Sequence, residues 1–206
     1  MFEIGPIRPP SEAYSLLLRV TRNCPWNRCA FCPVYRGARF SIRGVDEVKA
    51  DIDAMAEVAV TLRRLSEEQG HGGEISGPVL RMAARGPALP PGAGQVAAFM
   101  ALGGRHVFLQ DANSLAMRPE QLVEVLEHLR GPGRFPSVDR ITSYARAHTI
   151  TRRKPEQLLA LRERGLNRLH VGLESGSDEV LALVRKGGDA ARHIEAGLRS
   201  FDLDMP

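Results

Sequence analysis

Cysteine is scarce in this chain: there are 3 in 206 residues, all within positions 24 to 32. An odd, clustered set argues against a disulfide framework. Soft thiolates that close in sequence suit a metal ion or an inorganic cluster. Aromatic residues are few, at 5%, with a single Trp. No apolar run approaches the roughly 20 residues that a membrane span requires. Met1 to Pro10 has neither the apolar core of a signal peptide nor the Arg/Ser-rich character of a transit peptide. The expected compartment is therefore the cytosol, without a membrane partner. Acidic residues are missing altogether between Glu12 and Asp46, where Arg19, Arg22, Arg28, Arg36, Arg39 and Arg43 all lie. In a chain of net charge +4, positive charge is thus concentrated around the cysteines.

What is present is an ordinary globular composition, 43% hydrophobic and 25% charged, with the length of one domain spanning 1–206. Residues 14–22 are a short, mainly apolar run that reads as a buried parallel strand. The cysteine loop follows directly. Val45, Val48, Ile52, Met55, Val58, Leu62 and Leu65 then recur at helical spacing, up to the glycine-rich stop at Gly70–Gly73. Residues 70–94 form a Gly/Pro-rich insertion, read as loop with at most one short element inside it. A brief helix over about 95–102 leads out.

Beyond it a unit repeats. A strand at 105–110 precedes a helix opening Arg118-Pro119-Glu120, and a strand at 139–144 precedes one opening Lys154-Pro155-Glu156. Proline at the first helical position and glutamate in the first turn are helix-start signals. A third strand at 168–173 leads to Ser177, a plausible N-cap for a helix over 178–186, and a further helix spans 190–199. Strands alternating with helices predict an α/β fold with parallel pairing. Counting the first strand, about four βα units are present. A fifth strand would begin at Leu203, so the fourth is expected to form an exposed parallel edge. Either instability of this chain alone or a continuation beyond Pro206 is the expectation.

The central motif reads Cys24-Pro-Trp-Asn-Arg-Cys29-Ala-Phe-Cys32, a C-x4-C-x2-C pattern after a strand. Three such thiolates can reach three corners of a [4Fe–4S] cube. With no fourth cysteine in the chain, one iron stays open to substrate, as in catalytic rather than structural metal sites. The spacing alone also admits a zinc knuckle completed by one of the 6 His. His148 and His170 are further candidates; a core histidine is the commoner explanation for His170, which lies within a strand.

The strand-borne three-cysteine loop, with Phe31 just before the last cysteine, resembles the radical S-adenosylmethionine superfamily. The resemblance extends through Val20–Asn27, Ile141–Arg146 and Gly165–Gly176, and so covers nearly the whole chain. It is strongest toward the branch holding oxygen-independent coproporphyrinogen oxidases, methylthiotransferases and elongator-type enzymes. The family's commonest spacing has three residues between the first two cysteines, and this chain has four.

The resemblance implies a partial TIM-like (β/α)6 barrel holding a [4Fe–4S] cluster on Cys24, Cys29 and Cys32, with bound S-adenosylmethionine. It implies reductive cleavage to a 5′-deoxyadenosyl radical that abstracts hydrogen from a substrate. A flavodoxin- or ferredoxin-like electron donor is expected, and the substrate, small molecule or RNA, is open. By position, Phe31 would lie against the adenine. Asp111 and Asn113 stand where the family carries a Gly-Gly-Glu-like motif. Ser143, Arg146 and Glu174 occupy the ends of later strands; Arg146 would pair with the methionine carboxylate and Glu174 with the ribose or amino group. One or two of Arg22, Arg28 and Arg36 would offset the anionic cluster. The rival readings are a zinc or iron–sulfur module without turnover and an inactive fragment.

Overall fold

Leu16, Leu17 and Leu18 are all essentially inaccessible to solvent, which requires a strand covered on both faces. In the computed structural model, which describes residues 2–85 and 89–205, they form β1 (Leu16–Arg19). After Val20 the chain leaves the sheet. β2 (Thr21–Arg22) pairs antiparallel with β3 (Ser41–Ile42), and the cysteine loop is the connection between them. The run at 14–22 is therefore two short strands rather than one. Its single apolar signature conceals the break, because Val20 and Thr21 are also fully buried.

α1 (Val45–Glu68) opens with the Gly44 N–H donating to Glu47 Oε2 at 2.8 Å. It turns Val48, Ile52, Met55 and Leu62 into the core, all at 0% exposure. The insertion contains α2 (Gly77–Arg85), and α3 (Ala93–Ala101) leaves it two residues earlier than expected. Gly86, Pro87 and Ala88 of the insertion lie outside the described residues. β4 (His106–Gln110) and α4 (Pro119–Leu129) follow, then β5 (Arg140–Ala145), α5 (Ala147–Arg152) and α6 (Pro155–Glu163). β6 (Leu166–Val171), α7 (Asp178–Leu183) and α8 (Ala190–Asp202) complete the order. Both Pro-Glu starts open helices, and Ser177 caps α7 by accepting from the Val180 N–H at 3.4 Å. The short α5 was not foreseen. Thr149, Ile150 and Thr151 are β-branched and carry no helical signature.

The main sheet has the order β1-β4-β5-β6, parallel throughout, each crossover carrying at least one helix. This is an α/β fold, a partial (β/α)6 barrel with four βα units. Register separates two faces. Leu16, Leu18, Val107, Leu109 and Ile141 point to the helices and form the core with α1, α3, α4 and α6. Leu17, Phe108, Thr142 and Arg168 share the inner face, with Tyr144 and His170 one step further along. There Phe108 and Tyr144 pack edge to face at 5.0 Å.

The N-terminal segment crosses this inner face. Gln110 accepts from the Gly5 N–H at 2.9 Å and donates to the Ile7 carbonyl at 2.7 Å. The outer edge of β1 is covered by α3, where the Leu17 N–H donates to Gln95 Oε1 at 2.7 Å. β6 is the other edge, with no strand beyond it among the described residues. Leu203 to Met205 do not extend into a strand. The Met205 N–H donates to the Ser200 carbonyl at 2.9 Å, and Arg162 holds Asp204 at 2.7 Å.

The sheet-facing side of α1 should carry the stability of this half. Ile52→Ala should cost about 2–5 kcal/mol, the usual toll of a core truncation with its cavity. Val60→Ala, on the same helix but 58% exposed, should stay within about 0.5 kcal/mol. Urea titrations check both: the midpoint falls for Ile52→Ala with unchanged slope and stays put for Val60→Ala.

Candidate active site

The cysteine loop is shaped by two asparagines in the left-handed region, which asparagine tolerates better than most residues: Asn23 at φ 66° and Asn27 at φ 48°. Asn23 Nδ2 donates to the Arg39 carbonyl at 2.6 Å, closing the loop's two ends on each other. Asn27 Nδ2 reaches the carbonyls of Tyr35 and of Ala38, the latter at 3.2 Å. The Asn27 N–H points at Cys24 Sγ at 3.4 Å.

Beneath the loop lies Asp111, fully buried just past the end of β4. Arg19 Nε and Nη2 donate to its Oδ2 at 2.9 and 2.5 Å, and the Asn23 N–H joins them at 3.0 Å. The Tyr35 hydroxyl donates to Oδ1 at 2.8 Å. Burial and this carboxylate push the Tyr35 phenol well above its ordinary range, so it stays a donor.

The loop's other anchor is Trp26. Its Nε1–H donates to the Arg185 carbonyl at 2.7 Å, and the Ala30 N–H donates to Val184 at 2.9 Å. The indole lies on Gly187, where a Cβ would come within 2.4 Å of the ring; Gly187 also has φ +74°. Arg146 and Arg28 sit 4.9 and 5.4 Å from the indole centroid. Arg146 also donates to the Lys186 carbonyl at 3.0 Å.

Cys24, Cys29 and Cys32 are free thiols, half-buried, and line one cavity of about 320 Å³. They share it with Phe31, Arg146 and Glu174. Lys186 bridges the walls, 2.8 Å from Glu174 Oε1 and 5.9 Å from the Phe31 ring. Burial raises the Cys29 thiol, with Lys186 and Arg146 pulling the other way. Burial lowers Arg146, while Cys24 and Cys29 favour its charge.

Sequence candidates thus divide. Phe31, Arg146, His148, His170 and Glu174 meet the cysteines at the cavity. Asp111, Asn113 and Ser143 do not line it, and all three are buried. Asn113 donates to Thr149 Oγ1 at 2.8 Å and accepts from the Arg146 N–H at 3.2 Å. Ser143 bonds the Tyr144 carbonyl at 2.9 Å. Arg22 is occupied by Glu3 at 2.7 Å, and Arg36 bonds the Ala30 carbonyl at 3.2 Å. Arg28 lies over the Trp26 ring, and Lys186 and Arg146 are the cations that favour the Cys29 thiolate against its burial. Trp26, Lys186, Gly187, Arg192 and His193 escaped sequence reasoning. The available signals were that Trp26 is the chain's single Trp and that Lys186-Gly187-Gly188 breaks a helix.

The residues present fit a [4Fe–4S] cluster. Three free thiols line one cavity together with Lys186 and Arg146, a donor set of the right chemistry; no group of three His, Cys, Asp or Glu is placed to hold a single metal ion among the described residues. In a cube each thiolate meets its own iron, so its sulfurs need not converge.

Because Trp26 is the only Trp, its fluorescence reports the seating of the loop. Gly187→Ala should expose the indole, shifting emission to the red and increasing acrylamide quenching. An unchanged spectrum would show that the close contact does not hold the ring. A second expectation concerns pH. Burial holds His148, His170 and His193 below the ordinary value of 6.5. The unfolded chain takes up these protons before the folded one does, so the stability involved is complete above pH 6.5 and declines as pH falls through the lower folded values. Urea midpoints should drop as pH falls below 6.5, and His148→Gln with His193→Gln should flatten that slope.

The family model of the Radical SAM superfamily matches residues 94–206, more than half of the chain; the cysteine loop precedes that stretch. No curated protein matches. Among solved structures, the chain resembles the cobalamin-dependent S-adenosylmethionine radical enzyme OxsB with aqua-cobalamin bound. The TM-score is 0.58 at 17% identity, over 92% of this chain and 22% of that one. The apo, selenomethionine-labelled form of OxsB gives 0.58 at 18%, over 93% and 22%. The form with aqua-cobalamin and S-adenosylmethionine gives 0.52 at 18%, over 88% and 21%. This chain spans about a fifth of the length of OxsB, and at these identities the likeness is one of fold. Strand order, cavity and family match agree: the chain belongs to the Radical SAM superfamily.

Proposed function

We propose that this chain holds a [4Fe–4S] cluster on Cys24, Cys29 and Cys32 and uses it to cleave S-adenosylmethionine reductively. The observation that carries the reading is the sharing of one cavity by three free thiols, Phe31, Arg146 and Glu174 at the strand ends. A cluster held by these cysteines would, when reduced, supply the one electron that cleaves the sulfonium's bond to C5′, giving methionine and a 5′-deoxyadenosyl radical able to take hydrogen from substrate.

The chain's own part is binding and orientation. Arg146, partly buried and charged, pairs with the methionine carboxylate, and its orientation is fixed from behind by the Trp26 ring and the Lys186 carbonyl. Glu174 takes the ribose or amino group while Lys186 holds its other side. Phe31, 52% exposed and facing the cavity, offers a flat apolar surface to the adenine. Asp111 and Asn113 act as positioning residues: Asp111 holds the loop, and Asn113 holds the Arg146 backbone. Ser143 belongs to the same strand-end support.

Arg28, Arg36 and Arg39 are exposed on the loop, so an electron donor with an acidic surface, flavodoxin- or ferredoxin-like, suits this face. Among the described residues, no helix is long and apolar enough to cross a membrane.

Anaerobic loading with iron and sulfide, then dithionite and S-adenosylmethionine, tests the reading. The expected result is charge-transfer absorbance and 5′-deoxyadenosine. Cys29→Ser should abolish both, and Arg146→Ala should raise the S-adenosylmethionine requirement at least about tenfold, the worth of one charged hydrogen bond. An iron-replete, reduced sample that forms no 5′-deoxyadenosine would leave a binding module without turnover.

A further inference from the structure

Helices α5 and α8 pack against each other and give the cavity a basic wall. His148 comes from α5, and Arg192 and His193 come from the first turn of α8. All three are half-buried. Arg192 bonds Asp189 Oδ1 at 2.8 Å through its backbone N–H, and its guanidinium has no ion-pair partner among the described residues.

Carboxylates near this wall are already engaged. Asp189 caps α8 through that N–H, and Glu174 holds Lys186 at 2.8 Å. Glu174 is also the one carboxylate lining the cavity among the described residues, against the cations Arg146, Lys186 and Arg192. Like charges gathered in a concave, partly dry site repel, and an anion seated between them removes the repulsion.

Two of these cations are held against the cysteine loop: Arg146 lies 4.9 Å from the Trp26 ring centroid and Lys186 5.9 Å from that of Phe31. Arg192 makes neither an aromatic contact nor an ion pair among the described residues. Arg152 adds to the positive field at His148, and Asp189 and Glu174 moderate it at His193. A methionine carboxylate bound next to the cluster belongs on the thiol side, with Arg146. Arg192 is left over.

We infer that Arg192, with His148 and His193, forms a subsite for an anionic group, carboxylate or phosphate, on the substrate. This rests on the proposed S-adenosylmethionine chemistry for its purpose, but the subsite belongs to the folded chain and can be probed without iron. Arg192 would give planar, two-pronged recognition, and the imidazoles would add donors at the rim.

The test is titration of the purified chain with inorganic phosphate and, separately, malonate, before and after anaerobic loading with iron and sulfide. Binding is read by calorimetry and by the imidazole proton signals of His148 and His193. At least one anion should move both signals in the unloaded chain. Arg192→Ala should weaken that binding at least about tenfold, and Arg192→Lys, which keeps the charge, less than about threefold. Circular dichroism verifies the fold of each variant.

Absence of binding by either anion overturns the inference, as does binding that Arg192→Ala leaves unchanged. The affinity of the loaded protein for S-adenosylmethionine separates the two sources of anion. It should survive Arg192→Ala; a parallel loss would assign Arg192 to the methionine carboxylate and overturn the subsite. Failure of the cluster to assemble would sink the proposed chemistry while leaving the first titration standing.

Discussion

The Arg19–Asp111 pair sits where β1 and β4 end side by side, and the cysteine loop hangs from it. Asp111 is fully buried and Arg19 nearly so, with side-chain exposures of 0% and 13%. A pair of this kind is weak evidence of net stabilisation. Removing one partner is another matter, since it strands a buried charge at a cost of about 3–5 kcal/mol. The carboxylate also accepts from the Tyr35 hydroxyl and the Asn23 N–H, so the loop's first and later turns converge on it. The pairing continues outward: Glu3 joins Arg19, Arg22 and Arg43, and Arg43 joins Asp51 of α1. In a network each added partner meets a side chain already ordered, so it loses less rotamer entropy than an isolated surface pair. The Arg22 hydrogen bond holds Glu3 below its usual carboxylate value, with burial opposing.

Asp111 fixes only the root of the cysteine loop, and its far side is held separately. Trp26 provides this hold. It spans from the cysteine loop to the turn at Val184–Gly188, and Arg146 is stacked on it from the end of β5. The loop is therefore suspended between the start of the sheet and its last βα unit. Sites carried on rigid elements hold productive geometry better than free loops do. The same suspension explains why Arg146, Glu174 and Lys186 meet the cysteines although they lie more than 100 positions away.

Much of the frame was legible because parallel α/β units write themselves in local chemistry. Pro119-Glu120 and Pro155-Glu156 begin helices for reasons confined to one turn, and Ser177 caps because its hydroxyl reaches the Val180 N–H. Register along the strands was not legible in the same way. β6 begins at Leu166, two residues before the expected start, and its pairing with β5 is shifted between Ile141 and Thr142. That irregularity is tertiary. Within the site, the cysteines and Arg146 could be read from motif and strand-end position. Asp111 could not be separated from a cavity residue by sequence, because both roles call for a carboxylate at the end of β4. Only the buried Arg19 and Tyr35 beside it decide the matter. Lys186 and Arg192 were silent because a cation in a turn or in a helix's first turn looks like surface.

The inner face of the sheet poses a separate burial problem. Arg168 and His170 project there from β6, with Arg140 beside them, and a partial barrel lined with cations needs a countercharge. Glu12 supplies it from the N-terminal segment, at 0% exposure and 3.4 Å from Arg140, 3.8 Å from Arg168 and 3.9 Å from His170. Such a carboxylate is costly in isolation; here Oε2 accepts from the Ser15 hydroxyl and from Arg140, while Oε1 faces Arg168 and His170 at ion-pair distance without a hydrogen bond. The same segment satisfies Gln110 through Gly5 and Ile7 and feeds Glu3 into the network under the loop. Alternate residues of this segment thus turn inward: Glu12 is buried and Glu3, Gly5 and Ile7 are half-buried, while Ile4, Pro6, Arg8 and Pro10 stay exposed. Ile7 reaches the cavity from the same stretch, so the segment that neutralises the floor of the sheet also shapes the space in which the thiols and the basic wall face each other.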